Sequence, residues 1–129
     1  MILGIGTDIT NINRIDRILS IYQNKFINKI LSPKEINFAI VNNKKILKNH
    51  LAKRFSAKES FSKACGLGIG ALSFHDIEIF NYSSNQPYIV LSKKAESIIK
   101  KHLQTTQIIV NLSMSDEADY ATSFVVISN

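Results

Sequence analysis

The stretch Arg54-Phe55-Ser56-Ala57-Lys58-Glu59-Ser60-Phe61-Ser62-Lys63-Ala64 predicts a helix that is anchored in a core and carries charged groups. Its aromatic side chains, Phe55 and Phe61, are expected to fix the helix against apolar neighbours. Its one carboxylate, Glu59, stands among basic residues at Arg54, Lys58 and Lys63. Acids are scarce in this chain, with 10 Asp and Glu against 16 Lys and Arg, so a carboxylate on a core-anchored helix indicates a candidate site.

A second isolated acid, Asp8, ends the first apolar run. Met1 to Ile9 predicts a strand, with one face made by Leu3, Ile5, Thr7 and Ile9 and the other by Ile2, Gly4, Gly6 and Asp8. Glycines weaken a strand unless something must approach it closely. One interpretation is that Asp8 and Glu59 form a metal site for a phosphorylated ligand. The other is that the glycines admit a packed helix and Asp8 caps the next element.

The remaining pattern predicts a helical first half and a strand-rich second half. The first predicted helix is capped by Thr10 or Asn11 and ends near Tyr22, the second covers Lys25 to Leu31, and the third starts at Ser32-Pro33. The central helix runs from about Asn49 to Cys65 with Gly66 as its C-cap, and the last helix runs from Ser92 to about His102. The later strands are predicted at Ser73 to Asn81, Tyr88 to Leu91, Gln107 to Ser115 and Tyr120 to Ile127. The sequence therefore predicts one α+β domain over residues 1–129, with the central helix packed on an antiparallel sheet.

Composition narrows the class of protein. A chain of 129 residues with 45% hydrophobic residues can bury one core, and no run approaches the roughly 18 to 20 apolar residues of a membrane span. The single cysteine, Cys65, cannot form an internal disulfide, and the N-terminus has no leader pattern, so we expect a cytoplasmic protein. The net charge of +6 favours acidic partners without choosing among them.

Several segments together resemble the holo-acyl-carrier-protein synthases, the small single-domain 4'-phosphopantetheinyl transferases. The resemblance rests on the run from Arg54 to Ala64 and, in the family's order, on Gly4-Ile5-Gly6-Thr7-Asp8-Ile9, Gly66-Leu67-Gly68-Ile69, Ser73-Phe74-His75-Asp76-Ile77-Glu78-Ile79, Gln86-Pro87-Tyr88 and Asp119-Tyr120-Ala121. It implies transfer of the phosphopantetheine arm of coenzyme A to a serine of apo acyl carrier protein in fatty acid biosynthesis. It also implies Mg²⁺ as cofactor, a homotrimer, and no nucleic-acid or membrane partner.

The resemblance assigns roles to individual residues. It implies that Asp8 and Glu59 hold Mg²⁺, which prefers carboxylate oxygens, and that Lys63 joins them in catalysis by neutralising phosphate charge. From the residues alone, the favoured interpretation of Glu59 and Lys63 is an ordinary i, i+4 pair, and the resemblance reverses that preference. The candidate cofactor-binding residues are Arg54, Lys58, Lys63 and Gly66. For Arg54 and Lys58 the alternative is a solvated basic face. The general base stays open among Glu59, Asp8 and a metal-bound water.

Two surfaces are expected to meet other molecules. By resemblance, Arg14 contacts the carrier protein, and Arg17, Lys25 and Lys29 widen a basic patch that complements an acidic carrier. The polar strand face Asn111, Ser113 and Ser115 suits an interface between subunits. The alternative for the patch is an ordinary amphipathic helix.

The chain departs from a common form of the family in its last hairpin. Asp116 stands where many members have a histidine that helps hold the 3'-phosphate of the nucleotide, so we expect nearby lysines, with Lys45 and Lys48 as weaker candidates, to supply that contact. His75 is predicted on a strand, His50 and His102 on the surface, and Cys65 as a packed side chain. The runner-up function is a basic module that binds nucleic acid or an acidic protein. Against it, the sequence has no recognisable nucleic-acid-binding motif.

Overall fold

The computed structural model describes residues 1–68 and 70–129. The elements are, in chain order, β1 (Ile2–Asn11), α1 (Ile12–Tyr22), α2 (Asn24–Ile30), α3 (Pro33–Val41), α4 (Lys48–Cys65), a short 3₁₀ helix (Phe74–Asp76), β2 (Ile77–Asn81), β3 (Pro87–Leu91), α5 (Lys93–His102), β4 (Ile109–Glu117) and β5 (Tyr120–Ser128). The helical first half and the strand-rich second half are confirmed.

The strands form two antiparallel sheets. One has the order β1-β5-β4, and the other is the hairpin of β2 and β3. In the first sheet Asp8 lies opposite Ser123, and Asp116 lies opposite Ala121. The first strand of the chain is thus completed by the last one, with α4 packed across both.

The two glycines of β1 bring α4 against the sheet. A Cβ atom built at Gly4 would overlap the carbonyl oxygen of Ala64, and one at Gly6 would overlap that of Ser60. Only hydrogen at Cα permits this approach. The interpretation that the glycines admit a packed helix is therefore confirmed. The accompanying prediction that Asp8 caps the next element is wrong, because Asn11 caps α1.

Local signals set most helix ends where the sequence predicts them. Ser32 and Glu35 form a capping box at the start of α3, and the Ser92 hydroxyl accepts a hydrogen bond from the backbone N–H of Ala95 in α5. Gly66 ends α4 with φ of 68°, a left-handed conformation that favours glycine. The glycine loop that follows includes Ile69, which lies outside the described residues.

Two strand predictions need correction. Residues Phe74–Asp76 are a 3₁₀ helix, not strand, because Asp76 accepts hydrogen bonds from the backbone and hydroxyl of Ser73 and so closes a turn. His75 lies on this turn. Leu3 packs against the core instead of sharing the outward face of Ile5, because the register shifts between Ile2 and Gly4.

The core forms on both sides of α4. One cluster joins Phe61 to the sheet and α5, and the other joins Leu51 and Ala52 to α1 and α2. The opposite face of the three-stranded sheet is exposed and includes Ile5, Ile9 and Phe124. Within the described residues, no helix combines the length and apolar character needed to cross a membrane.

Candidate active site

Asp8 lies on the face of β1 that meets α4. One of its carboxylate oxygens accepts a hydrogen bond of 2.8 Å from the Thr10 hydroxyl. The other lies 3.3 Å from the ammonium of Lys63, which also donates to the backbone carbonyl of Thr7 at 3.0 Å. The Asp8 side chain is only 14% exposed, so its charge is held in one place at the junction of strand and helix.

Glu59 lies one turn before Lys63 on α4 and belongs to the same electrostatic cluster. Burial and the negative charge of Asp8 raise its pKa, and the positive charges of Lys63 and Arg14 oppose the rise. Two carboxylates far apart in the sequence thus interact across the junction of β1 and α4. We call Asp8 and Glu59 the acidic pair. Lys63 and Arg14 are the two cations that interact with it.

This donor set fits a hard divalent cation. Mg²⁺ takes oxygen ligands and is commonly bound by one or two carboxylates together with substrate phosphates and water. In residues 1–68 and 70–129 no group of three or more His, Cys, Asp or Glu side chains could enclose an ion. Two carboxylates fill only part of the coordination shell of Mg²⁺, so the acidic pair suits an ion that shares its remaining positions with a ligand.

Arg54, also on α4, points into a separate basic cavity of about 430 Å³. Its guanidinium donates to the side-chain oxygen of Asn81 at 2.5 Å, and the side chain is largely buried. The cavity is lined by Lys44, His50, Lys53, Arg54, Asn81, Asn85, Pro87 and Met114. We call it the basic pocket. Its lining of cations and amides, without a carboxylate, suits an anion.

The sequence interpretation missed two features of this pocket. His50 was expected on the surface but lines the cavity, where burial and the charges of Arg54, Lys53 and Lys44 lower its pKa to about 4. Lys44 lines the cavity instead of its neighbour Lys45, and Lys48 lies 4.0 Å from Asp16 on α1.

Asp116 lies beside the basic pocket. Its carboxylate accepts a hydrogen bond of 2.9 Å from the Asn49 amide and lies 3.2 Å from the Lys53 ammonium. The Asn49 bond and the charge of Lys53 lower the pKa of Asp116, against a smaller effect of burial. The acid that replaces the expected histidine is therefore neutralised by a lysine of α4.

Lys58 cannot bind a nucleotide phosphate, and both sequence interpretations of it are wrong. Its ammonium is fully buried and donates to Glu35 at 2.6 Å, to the Ile30 carbonyl at 2.6 Å and to the Phe74 carbonyl at 3.0 Å. Glu35 in turn accepts from the backbone N–H of Ile79 at 3.1 Å. Burial lowers the pKa of Lys58, and the charge of Glu35 opposes that shift. The pair joins α4 to α2, α3, the 3₁₀ helix and β2.

The other predicted site residues lie on the surface. Arg14 is exposed on α1, close enough to Glu59 for their charges to interact, and Arg17 is exposed one turn further along. Between α1 and α2 a groove of about 390 Å³ has an apolar floor with two lysines, Lys25 and Lys29. Gly66 has a structural reason in its left-handed φ, and its cofactor role stays a prediction.

Comparison with known proteins identifies the family. The sequence model of the 4'-phosphopantetheinyl transferase superfamily matches residues 4–125. The chain belongs to this superfamily. It is 45% identical, over 98% of both chains, to a holo-[acyl-carrier-protein] synthase of Wolbachia sp. subsp. Drosophila simulans.

Solved structures of the superfamily have the same fold. The crystal structure of holo-[acyl-carrier-protein] synthase from Neisseria meningitidis superimposes with a TM-score of 0.86 at 39% identity over the whole of both chains. That of the holo-(acyl-carrier-protein) synthase from Bacillus anthracis, in complex with CoA (3',5'-ADP), gives 0.77 at 38% identity over 98% of this chain and 96% of that one. The chain is thus an enzyme of the 4'-phosphopantetheinyl transferase type.

Proposed function

We propose that this transferase moves the phosphopantetheine group of coenzyme A to a serine of apo acyl carrier protein, with Mg²⁺ as cofactor, in fatty acid biosynthesis. The observation that carries the proposal is the acidic pair, Asp8 and Glu59, held by β1 and α4 beside the Lys63 ammonium. The relatives named above support it, because they are holo-[acyl-carrier-protein] synthases and one was solved with CoA (3',5'-ADP).

Each residue of the cluster has a distinct role in this proposal. Asp8 and Glu59 would hold Mg²⁺, which when bound supplies positive charge to the pyrophosphate oxygens. Lys63 is 56% exposed although it contacts Asp8, so its ammonium can turn toward a phosphate. The group that accepts the proton of the carrier serine stays open among Glu59, Asp8 and a metal-bound water.

The basic pocket is our candidate for the 3'-phosphate of coenzyme A. Lys44, Lys53 and Arg54 place three cations around one cavity. Lys53 is also held by Asp116, so the acid at the expected histidine position orients a phosphate-binding lysine and does not itself contact the phosphate. Three permanent charges would provide what the missing histidine provides in other members.

The carrier protein would dock on α1 and α2. Arg14 and Arg17 are exposed on α1, and Lys25 and Lys29 line the apolar groove beside them. A basic rim around an apolar floor is complementary to an acidic helix with apolar side chains. Arg14 also lies near Glu59, so a carrier bound there would present its serine to the acidic pair.

We further propose that three copies of the chain assemble through the exposed face of the three-stranded sheet. Ile5 and Ile9 on β1 are 60% and 67% exposed, and Phe124 on β5 is 46% exposed. The polar residues Asn111, Ser113 and Ser115 of β4 are exposed on the same face. An apolar centre with a polar edge is the usual anatomy of a subunit interface. The cytoplasmic location and the lack of nucleic-acid and membrane partners stay predictions.

The decisive experiment is a mass measurement. Purified protein, Mg²⁺, coenzyme A and apo acyl carrier protein should give carrier protein heavier by one phosphopantetheine group. Asp8→Asn should lower the rate by about a hundredfold or more, because it removes charge where the ion and pyrophosphate meet. The matched control is Glu96→Gln, which changes an acid of α5 that lies 2.6 Å from Lys100 and is outside the proposed sites. Absence of any mass gain at saturating substrates, or full activity of Asp8→Asn, would contradict the proposal.

A further inference from the structure

We propose that His50 is a proton-binding residue of the basic pocket: its imidazole takes up a proton from solvent when a phosphomonoester occupies the cavity. Nucleotide binding and the charge of this one side chain would then be coupled. The inference rests on the proposed function of the pocket as the 3'-phosphate site, and it adds a fourth phosphate-binding group of a different kind.

The position of His50 on α4 is the first support. His50 and Arg54 are separated by one helical turn, so they project from the same side of the helix, and both line the cavity. Two hydrogen bonds beside the ring, from Asn49 to Asp116 and from Arg54 to Asn81, do not involve the imidazole. Because the ring also lines the cavity, a ligand there can contact it.

The charges around the imidazole are the second support. Lys53 and Arg54 face it from α4, and Lys44 faces it from the segment before the helix. The groups contributed by β2, the following turn and β4 are neutral, namely Asn81, Asn85 and Met114. The carboxylate of Asp116, beside the pocket, is already engaged by Lys53 and Asn49. His50 thus stands in a cavity whose net charge is strongly positive.

The physical consequence differs between the empty and the occupied pocket. Burial and three cations hold the pKa of His50 at about 4, so the imidazole is neutral at neutral pH when the pocket is empty. A phosphate dianion cancels part of the positive charge and offers an acceptor to a ring N–H, so both effects favour the imidazolium. A lysine at this position would add a permanent fourth cation to the empty site, whereas histidine acquires its charge only when an anion is present.

The sign of the pH effect follows from linkage. The occupied pocket binds more protons than the empty one, so His50 should strengthen binding as the pH falls toward the pKa of the occupied state. We compare the dissociation constant of His50→Asn with that of the original chain. Between the pKa values of His50 in the empty and in the occupied pocket, this ratio should rise by up to about tenfold for each unit by which the pH falls. The ratio removes the titration of the free phosphate, which is the same for both proteins.

The test is calorimetry of adenosine 3',5'-bisphosphate binding without added metal, at pH 6.5 to 7, in two buffers of different protonation enthalpy. The original chain should take up more protons per bound ligand, by a fraction approaching one as the pH is lowered, than His50→Asn. His102→Asn is the matched control, because His102 is exposed on α5 and does not line the pocket. Coenzyme A should give the same excess uptake, and dephospho-coenzyme A, which lacks the 3'-phosphate, should give none.

The outcomes separate this inference from the function on which it rests. Equal proton uptake by the original chain and His50→Asn, with both binding the ligand, overturns the role of His50 and leaves the pocket intact. Failure of the original chain to bind the bisphosphate or coenzyme A overturns the proposed pocket itself. If His50→Asn does not fold, nuclear magnetic resonance of the original chain decides. The His50 ring signals, assigned by comparison with His75→Asn and His102→Asn, should shift to a pKa at least one unit higher with ligand, and an unchanged pKa refutes the inference.

Discussion

At the scale of single residues, the buried pair of Lys58 and Glu35 joins α4 to α2, α3, the 3₁₀ helix and β2. Its charges are fully desolvated, and each is satisfied by backbone groups as well as by the other. Such a pair adds little stability compared with two apolar residues in its place. Loss of one member, however, leaves an uncompensated buried charge. Because Glu59 follows Lys58 directly, the buried pair also helps to fix the position of Glu59 on α4.

We therefore expect Lys58→Met to lower the free energy of unfolding by about 3–5 kcal/mol. Urea denaturation followed by circular dichroism measures this change. Lys93→Met, on the exposed face of α5, is the matched control and should change stability by less than about 0.5 kcal/mol. The double variant Lys58→Met with Glu35→Leu should recover part of the loss. Similar small effects from both single lysine variants would mean that the pair does not hold α4.

Asp116 gives a pH-dependent prediction at the same scale. Its folded-state pKa lies below the ordinary 3.8, so the carboxylate stabilises the fold above that pH, and the contribution is lost as the pH falls through the folded-state value. Asp116→Asn should cost about 0.2–1 kcal/mol at pH 7, because the pair with Lys53 is partly exposed. The difference from the original chain should shrink in acid and vanish once the carboxylate is protonated. Unfolding curves between pH 7 and pH 2.5 measure it, with Glu117→Gln as control, and a difference that grows in acid would refute it.

The sequence predicts some of these residues and not others for a physical reason. Asp8, Glu59 and Lys63 were singled out because scarce acids and a family pattern mark them, and the structure places them at one junction, while their catalytic roles stay a prediction. Lys58 was assigned wrongly because its partner Glu35 lies 23 positions away, and only tertiary packing brings them together. His50 was missed for the same reason, since its pocket is made by Lys44, β2 and β4 as well as by α4.

At the scale of elements, the contact between β1 and α4 depends on glycine. Gly6→Ala would place a methyl group on the carbonyl oxygen of Ser60, so α4 must move away from the strand. We expect a loss of about 1–3 kcal/mol in stability, as for other overpacked sites. Transfer activity should fall further than stability predicts, because the shift separates Asp8 from Glu59.

The matched control for that change is Gly70→Ala. A Cβ atom at Gly70 meets no described atom within 4 Å, so stability and activity should both be near those of the original chain. Thermal unfolding and transfer assays at a temperature where every variant is folded make the comparison. Unchanged activity in Gly6→Ala would show that the strand–helix distance is not critical for the acidic pair.

Elements with a local signal were predicted well. The caps at Asn11, Ser32 and Ser92 and the C-cap at Gly66 act within a few residues, so their sequence positions fix the helix ends. The alternation of β4 is likewise visible in the sequence and is confirmed in its exposed and half-buried faces. The 3₁₀ helix was taken for strand because its turn depends on hydrogen bonds between Ser73 and Asp76, which compete with an apolar run.

At the scale of the whole molecule, the three-stranded sheet has one face on the core and the other exposed. β1, β5 and β4 each direct alternate side chains outward, and register places Thr7 and Ser113 on either side of Phe124. A half-exposed aromatic ring in the middle of a sheet face, with Ile5 and Ile9 on the adjacent strand, is costly in a monomer. Burial of this face in an assembly would remove that cost.

The proposed trimer can be tested through this ring. Phe124→Glu places a charge at the centre of the face without changing the inward side of β5, so the fold should persist while assembly fails, because an unpaired buried charge is strongly unfavourable. Sedimentation equilibrium should give three times the chain mass for the original protein and a lower mass for the variant. Val41→Glu, at an exposed apolar position on α3, is the matched control and should stay trimeric. If the original chain sediments as a monomer, the trimer is wrong. If Phe124→Glu keeps the trimeric mass, the subunits associate through another surface, and the exposed sheet face must have a different partner.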